Sequence, residues 1–507
     1  MICGNNIFAL SIVLSFFFLG CVDEEFDEEI TTTSSSINRE ELPIDLVGDL
    51  EIIDFIWKGL NDYYYWQDNL ENLSDDIAKD PLEYSRFINS SPEPVSFFES
   101  LKHPDDRFSF IQEDYRELEN ILQGVFSTFG VEFGLLRACI NCNDLIGFIK
   151  YIYKDSNAYG KNIQRGDIFI GVNGNSLKTT NYQSLLFGDQ ESISLNMGKI
   201  ENGAILRKNI DIELIREFDF QINPIQVNTI ISQKNQQTKS SEKIGYLMYN
   251  QFIADKSEEL NQVFKEYKDQ AIDELILDLR YNGGGSIRNC VELASMITGQ
   301  YKNDIFAKEQ WNTKTESYLI ENFGKETILN RFVGFLQSGE QINSLNLSRI
   351  FIITSSETAS ASELLINGLS PYIEVIHIGG QTTGKNVGSI TVYDYVDENQ
   401  TKNPNHTYAM QPIVLKIANS DGYADYADGL IPDYFAEEEL QNLGRLGAKE
   451  EPLLSLALNI IKDSIVLTEK NDMFSNQFRL NNVLVTNKQE MYSDKGKLLR
   501  KGLKSKF

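Results

Sequence analysis

The sequence predicts a multidomain chain with an N-terminal helical region, a small β-rich unit and a larger α/β core. Three patterns predict it. Apolar residues fall at helical spacing in LEIIDFIWKGLNDYYYWQDNL, residues 50–70. From Gly124 the chain changes to short apolar runs separated by glycines. Farther on, ELILDLRYNGGGSIRNCVELASMI and FIITSSETASASELLINGL each read as strand, tight turn and helix.

With 507 residues, 41% hydrophobic and 24% charged, the chain has the length for two or three domains and an ordinary globular composition. Its net charge of −28 leaves no broad basic face for a phosphate backbone, which excludes nucleic acid as a partner and simple adhesion to anionic lipid. A solvated acidic surface accounts for the charge. No internal repeat and no second apolar run long enough to span a bilayer occurs.

Residues 7–19, IFALSIVLSFFFL, form an apolar run too short for an ordinary spanning helix that leads into Gly20 and Cys21. FLGC resembles a bacterial lipobox, so residues 1–20 read as a lipoprotein signal peptide and Cys21 as the lipidated residue, although MICGNN lacks Lys and Arg. Residues 21–44, which begin CVDEEFDEEITTTSSS, read as an acidic and hydroxyl-rich tether. Acidic residues directly after the cysteine resemble the surface-export signal of Bacteroidetes lipoproteins. The expected location is export with a lipid anchor on the bacterial outer membrane, facing the periplasm or the cell surface.

The helical region covers residues 45–119. Its aromatics Trp57, Tyr63, Tyr64, Tyr65 and Trp66 suit either core packing or a peptide-binding face, and packing is preferred because aromatics bury the most area. In residues 124–217 the stretches FGVEFGLL and FIKYIYKDSNAYGKNIQRGDIFIGVNGNSL resemble a PDZ domain, with Gly166, Asp167, Asn173 and Gly174 in its RGDxIxxVNG turn. That resemblance implies a loop and strand at Phe129, Gly130, Val131 and Phe133 that add a peptide as an extra strand.

The core covers residues 218–462. Ser360 stands at the turn into a helix, where backbone N–H groups and the helix dipole suit an oxyanion. SASE, residues 360–363, is equally a capping box in which Ser360 only satisfies helix N–H groups. Lys385 follows in TTGKNVG after the strand IEVIHIG, and a lysine returned beside a serine can act as its base. Such a base must be neutral, so a pKa of about 10.4 has to fall by roughly three units, a cost of about 4 kcal/mol that burial can supply. Upstream, Asp278 and Arg280 lead into Asn282, Gly283, Gly284 and Gly285, a turn with an open backbone that offers a second oxyanion donor.

LDLRYNGGGS, TASASELL and GKNVGS, in this order and at these spacings, resemble the C-terminal processing (tail-specific) serine peptidases, peptidase family S41. The resemblance implies a ClpP/crotonase-like core, Ser360 as nucleophile and Lys385 as general base. It places the oxyanion donors at Ala361 and at Gly283 or Gly284. One departure stands out: many members have glutamine four residues after the lysine, where this chain has Ser389, whose hydroxyl is the candidate for orienting Lys385. No metal or organic cofactor is implied.

Rival readings of the remaining residues are weaker. GGQTTGK, residues 379–385, matches part of a P-loop, but Asn386 follows where Mg²⁺ needs a hydroxyl. The three histidines, His103, His377 and His406, sit in no triad context, and His377 reads as structural inside an apolar strand. Cys139 and Cys142 form one CxxC pair, which suits a local disulfide or two inert thiols rather than a zinc site. Cys290 reads as a small packed hydrophobe. Asp433, in the family-like ADGLIPDYFAEE, reads as a structural turn. Residues 300–348 read as a mostly helical insert in the position of a lid. Residues 463–507 form a C-terminal extension whose KGKLLRKGLKSKF is expected to be a solvated basic tail or to fold back on the acidic body.

The sequence therefore predicts a lipid-anchored serine endopeptidase that cuts exported proteins or peptides through a Ser/Lys dyad, with PDZ-assisted capture. An inactive peptide-binding surface lipoprotein and a Ser/Lys amidase or esterase are the alternatives. Oligomeric state is not legible.

Overall fold

A computed structural model describes residues 44–91, 93–139, 141–234, 241–462 and 490–499. The expectations for the signal peptide, Cys21 and most of the tether lie outside the described residues. The helical region opens with α1 (Asp49–Tyr63), whose Ile52, Ile53, Ile56, Trp57 and Leu60 are buried and continuous with the main core. The aromatics pack: Tyr64 has no exposed surface and donates to Asp106 at 2.6 Å, while Trp66 stacks on His103. The region is not purely helical, because Phe110–Gln112 is a strand paired with Ala409–Gln411 of the core.

The β-rich unit is a meander of β1 (Val131–Arg137), β2 (Leu145–Ile152), β3 (Ile168–Val172), β4 (Ser192–Glu201) and β5 (Ala204–Ile215), paired antiparallel in that order. Pairing of Val125–Thr128 with Glu217–Gln221 closes it, so the unit ends at Gln221 rather than at 217. Cys139 and Cys142 are joined by a disulfide between β1 and β2.

The core begins with β6 (Ile225–Lys234), β7 (Ser241–Tyr249) and β8 (Glu274–Asp278), then β9 (Gly284–Ser286) and α2 (Ile287–Ile297). Residues 300–348 are not a helical lid. They form β10 (Ile305–Trp311), α3 (Thr313–Phe323) and β11 (Leu329–Arg331), and β10 pairs within a core sheet. After them come β12 (Arg349–Thr354), α4 (Ala361–Leu369), β13 (Glu374–Gly379), β14 (Val387–Ser389), β15 (Ile413–Asn419), β16 (Tyr434–Phe435), α5 (Pro452–Ile461) and β17 (Glu490–Tyr492).

These strands make two six-stranded sheets. The first has the order β6-β7-β8-β12-β13-β16 and is parallel from β7 onward. It is covered on both faces, as parallel sheets are. Ile350 and Ile352 of β12 face the cluster that holds α2 and α4, whereas Phe351 and Ile353 face the cluster that holds α5. The second sheet has the order β9-β17-β14-β15-β10-β11. Of the C-terminal extension, β17 lies inside this sheet and Met491 and Leu499 are buried, while residues 500–507, most of the basic run, lie outside the described residues.

The β-rich unit docks on the core through ion pairs and through apolar packing of Leu136, Ile146 and Phe148 with Leu440 and Leu443. Lys150 of β2 meets Glu357 at 2.6 Å with both side chains buried, and Arg165 bonds Glu438 and the Tyr281 hydroxyl. Behind that contact Arg280, with no exposed surface, binds Asp278 at 2.7 Å, Glu438 at 2.7 Å and Glu451 at 2.6 Å. Burial alone would raise the Glu438 carboxyl, but Arg165 and Arg280 hold it down at about 2. Arg280→Ala leaves these carboxylates buried without their cation and is expected to lower stability by about 3–5 kcal/mol in chemical denaturation.

Candidate active site

The parallel sheet ends at two turns. After β8 the chain passes Asn282 and Gly283 into β9, and after β12 it passes residues 355–359 into α4. The two are stitched together at their backbones. The Asn282 carbonyl accepts the Ala359 N–H and the Ser362 hydroxyl, both at 3.1 Å, and Thr358 Oγ1 donates to the Leu279 carbonyl at 2.8 Å. Ser355 Oγ donates to the Arg280 carbonyl.

Ser360 caps α4 with φ of 67°, a left-handed conformation that costs a non-glycine residue on the order of 1–3 kcal/mol and persists where its surroundings impose it. The capping-box pairing with Glu363 is in place, yet only its carboxylate half is a hydrogen bond of ordinary geometry. The Ser360 N–H donates to Glu363 at 2.7 Å, while Ser360 Oγ, fully buried, has no hydrogen-bond partner among the described residues. The Ser360 hydroxyl thus makes no hydrogen bond of ordinary geometry to the helix.

The Glu363 carboxylate also holds the lysine segment. Oε2 accepts the N–H of Ser360 at 2.7 Å and that of Lys385 at 2.8 Å. Oε1 accepts the N–H of Gly384 at 2.7 Å and the Thr382 hydroxyl at 2.5 Å. The backbones of Ser360 and Lys385 thus lie within two hydrogen-bond lengths of each other. Burial pushes the Glu363 carboxyl up, and its hydrogen bonds to Thr382, Lys385, Ser360 and Gly384 act against that rise. Gly384 has φ of 86°, and a Cβ there would run into the Ala427 carbonyl oxygen.

Lys385 is 2% exposed, and its Nζ lies 4.9 Å from the centroid of the Phe108 ring. Neighbouring Arg107 donates to the carbonyls of Gly384 at 2.7 Å and Ala427 at 2.9 Å. The helical region therefore covers the lysine, a role that no local pattern in HPDDRFSF announces. Glu363 was visible in the sequence only as half of a capping box.

The N–H groups of Ala361 and Gly283 take no partner among the described residues, whereas the Gly284 N–H donates to Asn282 Oδ1 at 2.9 Å. The pair left available as oxyanion donors is Ala361 with Gly283. Ser389 does not offer its proton to Lys385: its hydroxyl donates to the Met491 carbonyl at 3.1 Å. His377 is structural, with Nε2 2.6 Å from Thr354 Oγ1 and a pKa lowered by burial to about 4. Asp433 accepts the His377 N–H at 2.9 Å, as a structural turn would. The Cys290 thiol, pushed up by burial, lies 3.3 Å from the Ala361 carbonyl as its donor. No group of three or more His, Cys, Asp or Glu converges as a metal site among the described residues.

A cleft of about 450 Å³ runs beside these turns, lined by Ser355, Ser356, Glu357, Gln381, Thr382 and Phe435 among others. Ser360 and Lys385 are not in its wall. In the β-rich unit, β1 is an edge strand. Phe129 and Val131 are buried in its core, Gly130 has φ of 82°, and Phe133 packs against Phe169 and Phe187.

On this α/β core a helix-capping serine, whose hydroxyl has no hydrogen-bond partner among the described residues, is tied through one carboxylate to the segment of a buried lysine. Residues 243–422 match the model for peptidase family S41, and residues 51–110 match the model for the peptidase S41 N-terminal domain. The chain is similar to a carboxyl-terminal-processing protease of Picosynechococcus, 24% identical over 276 residues, which cover 54% of this chain and 58% of that protein. It is also similar to a CtpA-like serine protease of Staphylococcus aureus, 24% identical over 389 residues, covering 76% of this chain and 64% of that one. The chain thus spans 58% and 64% of the length of these curated relatives. A crystal structure assigned to an S41 protease of Bacteroides fragilis shares the fold, with a TM-score of 0.62 and 23% identity over 81% of this chain and 98% of that one.

Glu363→Gln sets an NH2 group against N–H donors. It is expected to lower stability by about 1–3 kcal/mol and to raise hydrogen exchange at the Gly384 and Lys385 amides together. Unchanged protection at both amides would contradict the role given to this carboxylate.

Proposed function

We propose that the protein is a serine endopeptidase of exported proteins or peptides that works through a Ser360/Lys385 dyad. The observation that carries this reading is the unspent Ser360 hydroxyl, held beside the lysine segment by Glu363. Lys385, as the neutral amine, takes the proton of Ser360 Oγ while Oγ bonds to the scissile carbonyl carbon. The negative oxygen of the tetrahedral intermediate sits between the N–H groups of Ala361 and Gly283, beside the N-terminus of α4. Collapse breaks the C–N bond, and Lys385 returns its proton to the leaving amine. Water, deprotonated by the same lysine, then cleaves the acyl-enzyme and restores Ser360.

The cycle needs a neutral amine, and Lys385 is buried. Ser360 has no exposed surface and Arg107 and Phe108 lie against the lysine segment, so a substrate reaches the dyad after covering segments part. An extended peptide has an open edge to join at β1, where PDZ-like capture would seat it near Phe129, Gly130, Val131 and Phe133. Lipidation of Cys21 would hold the enzyme on the outer membrane.

The test is hydrolysis of an unfolded protein such as casein by the soluble form that begins after Cys21. Ser360→Ala and Lys385→Ala are each expected to lower the rate by about a thousandfold or more while the proteins stay folded. An inert parent, or activity that survives in Ser360→Ala, overturns the reading. For the anchor, Cys21→Ser in the full chain is expected to move the protein from the membrane fraction to the soluble fraction, and retention in the membrane contradicts lipidation at that residue.

A further inference from the structure

We propose that Glu490–Tyr492 and the residues that follow it to Leu499 are a constitutive brace of the active site. By this account the brace positions the glycine turn against the base strand and is not a detachable tail. The inference rests on the peptidase reading for its kinetic consequence, but not for its structural one.

The position of β17 carries the argument. On one side it pairs parallel with β9, matching Gly284 to Glu490, Gly285 to Met491 and Ser286 to Tyr492. On the other it pairs with β14, matching Ser389 to Tyr492. β9 begins directly after Gly283, and β14 begins just past Lys385. Among the described residues, the oxyanion turn and the base segment therefore belong to one sheet only through this strand.

Side chains secure it at both ends. Ser389 Oγ donates to the Met491 carbonyl at 3.1 Å, and the Ser493 N–H donates back to the Ser389 carbonyl at 3.0 Å. Asp494 pairs with Arg288 in the first turn of α2 at 2.6 Å, and Gly496 packs on Ile390. Lys495 reaches Glu309 on β10 at 3.0 Å, and that carboxylate is fully buried, with Trp311 Nε1 and Asn330 Nδ2 also donating to it. Removing the segment would strand a buried charge and expose Met491, so a plug that comes and goes is the poorer reading. Ser389 thus serves the brace.

The full chain carrying Met491→Asp, which cannot be buried there, tests this beside the milder Ser389→Ala. Hydrogen exchange is read first. Met491→Asp is expected to unprotect the amides of residues 284–286 and 387–389 together while those of α5 stay protected. If either strand keeps its parent protection, the brace is refuted, whether or not the parent is a peptidase. In an active parent, Met491→Asp is expected to lower kcat by about tenfold or more with little change in KM, and a synthetic peptide of residues 490–499 is expected to restore it in part. Ser389→Ala is expected to lower kcat by a few-fold at most with the fold intact. Parent-like or faster turnover by Met491→Asp overturns the proposal, faster turnover being what a plug would give. A loss that the peptide leaves unrestored while Ser389→Ala is parent-like also overturns it.

Discussion

The Glu363 carboxylate accepts hydrogen bonds from the backbones of Ser360, Gly384 and Lys385 and from the Thr382 hydroxyl, and the site depends on that arrangement. A carboxylate buried this far is unfavourable unless its lone pairs are filled by donors. Filling them reinforces a join between two segments that also meet where the Thr383 N–H donates to the Thr358 carbonyl at 3.0 Å. It also supplies what the left-handed Ser360 needs, because the strained conformation is tied down by its own N–H. The hydroxyl is then left out of the capping network and is open to other chemistry.

The sheet explains why that carboxylate stands where it does. Parallel strands deliver their turns to one edge, and here the turns after β8 and β12 meet there. Burial on both faces leaves no freedom to shift register, since a one-residue slip of β12 would move Ile350 and Ile352 to the face that packs α5. Around this rigid centre, contacts from distant parts of the chain close the site. Phe108 and Arg107 come from the helical region, the Lys150–Glu357 pair from the β-rich unit, and β17 from the far end of the described chain.

What was legible in the sequence follows from how local each signal is. The strand, turn and helix around Ser360 and around the glycine turn were readable because long apolar runs and glycines mark them without outside help. The segment 300–348 was misread as helical because β10 carries Lys308 and a buried Glu309 inside a short run, which breaks the alternation of a strand. The charge that makes Glu309 tolerable is Lys495, far along the chain, and that remoteness is why the sequence leaves open whether the basic run is solvated or folds back on the acidic body. The place of Ser389 after the lysine makes it a candidate to orient Lys385, whereas the donation of its proton to the Met491 carbonyl depends on a strand far along the chain. Glu363 was seen only as a cap, since its bonds to Gly384 and Lys385 depend on the next strand returning to the same edge.

The most direct test of this account follows the rate at which a fluorophosphonate probe acylates the protein as pH is varied, with the labelled residue located by peptide mapping, in the parent and in Lys385→Met. The account predicts label on Ser360 at a rate that rises with pH through one ionisation, and loss of that ionisation with most of the rate in the variant. Label on another residue, no label, or the same pH profile in Lys385→Met would contradict it.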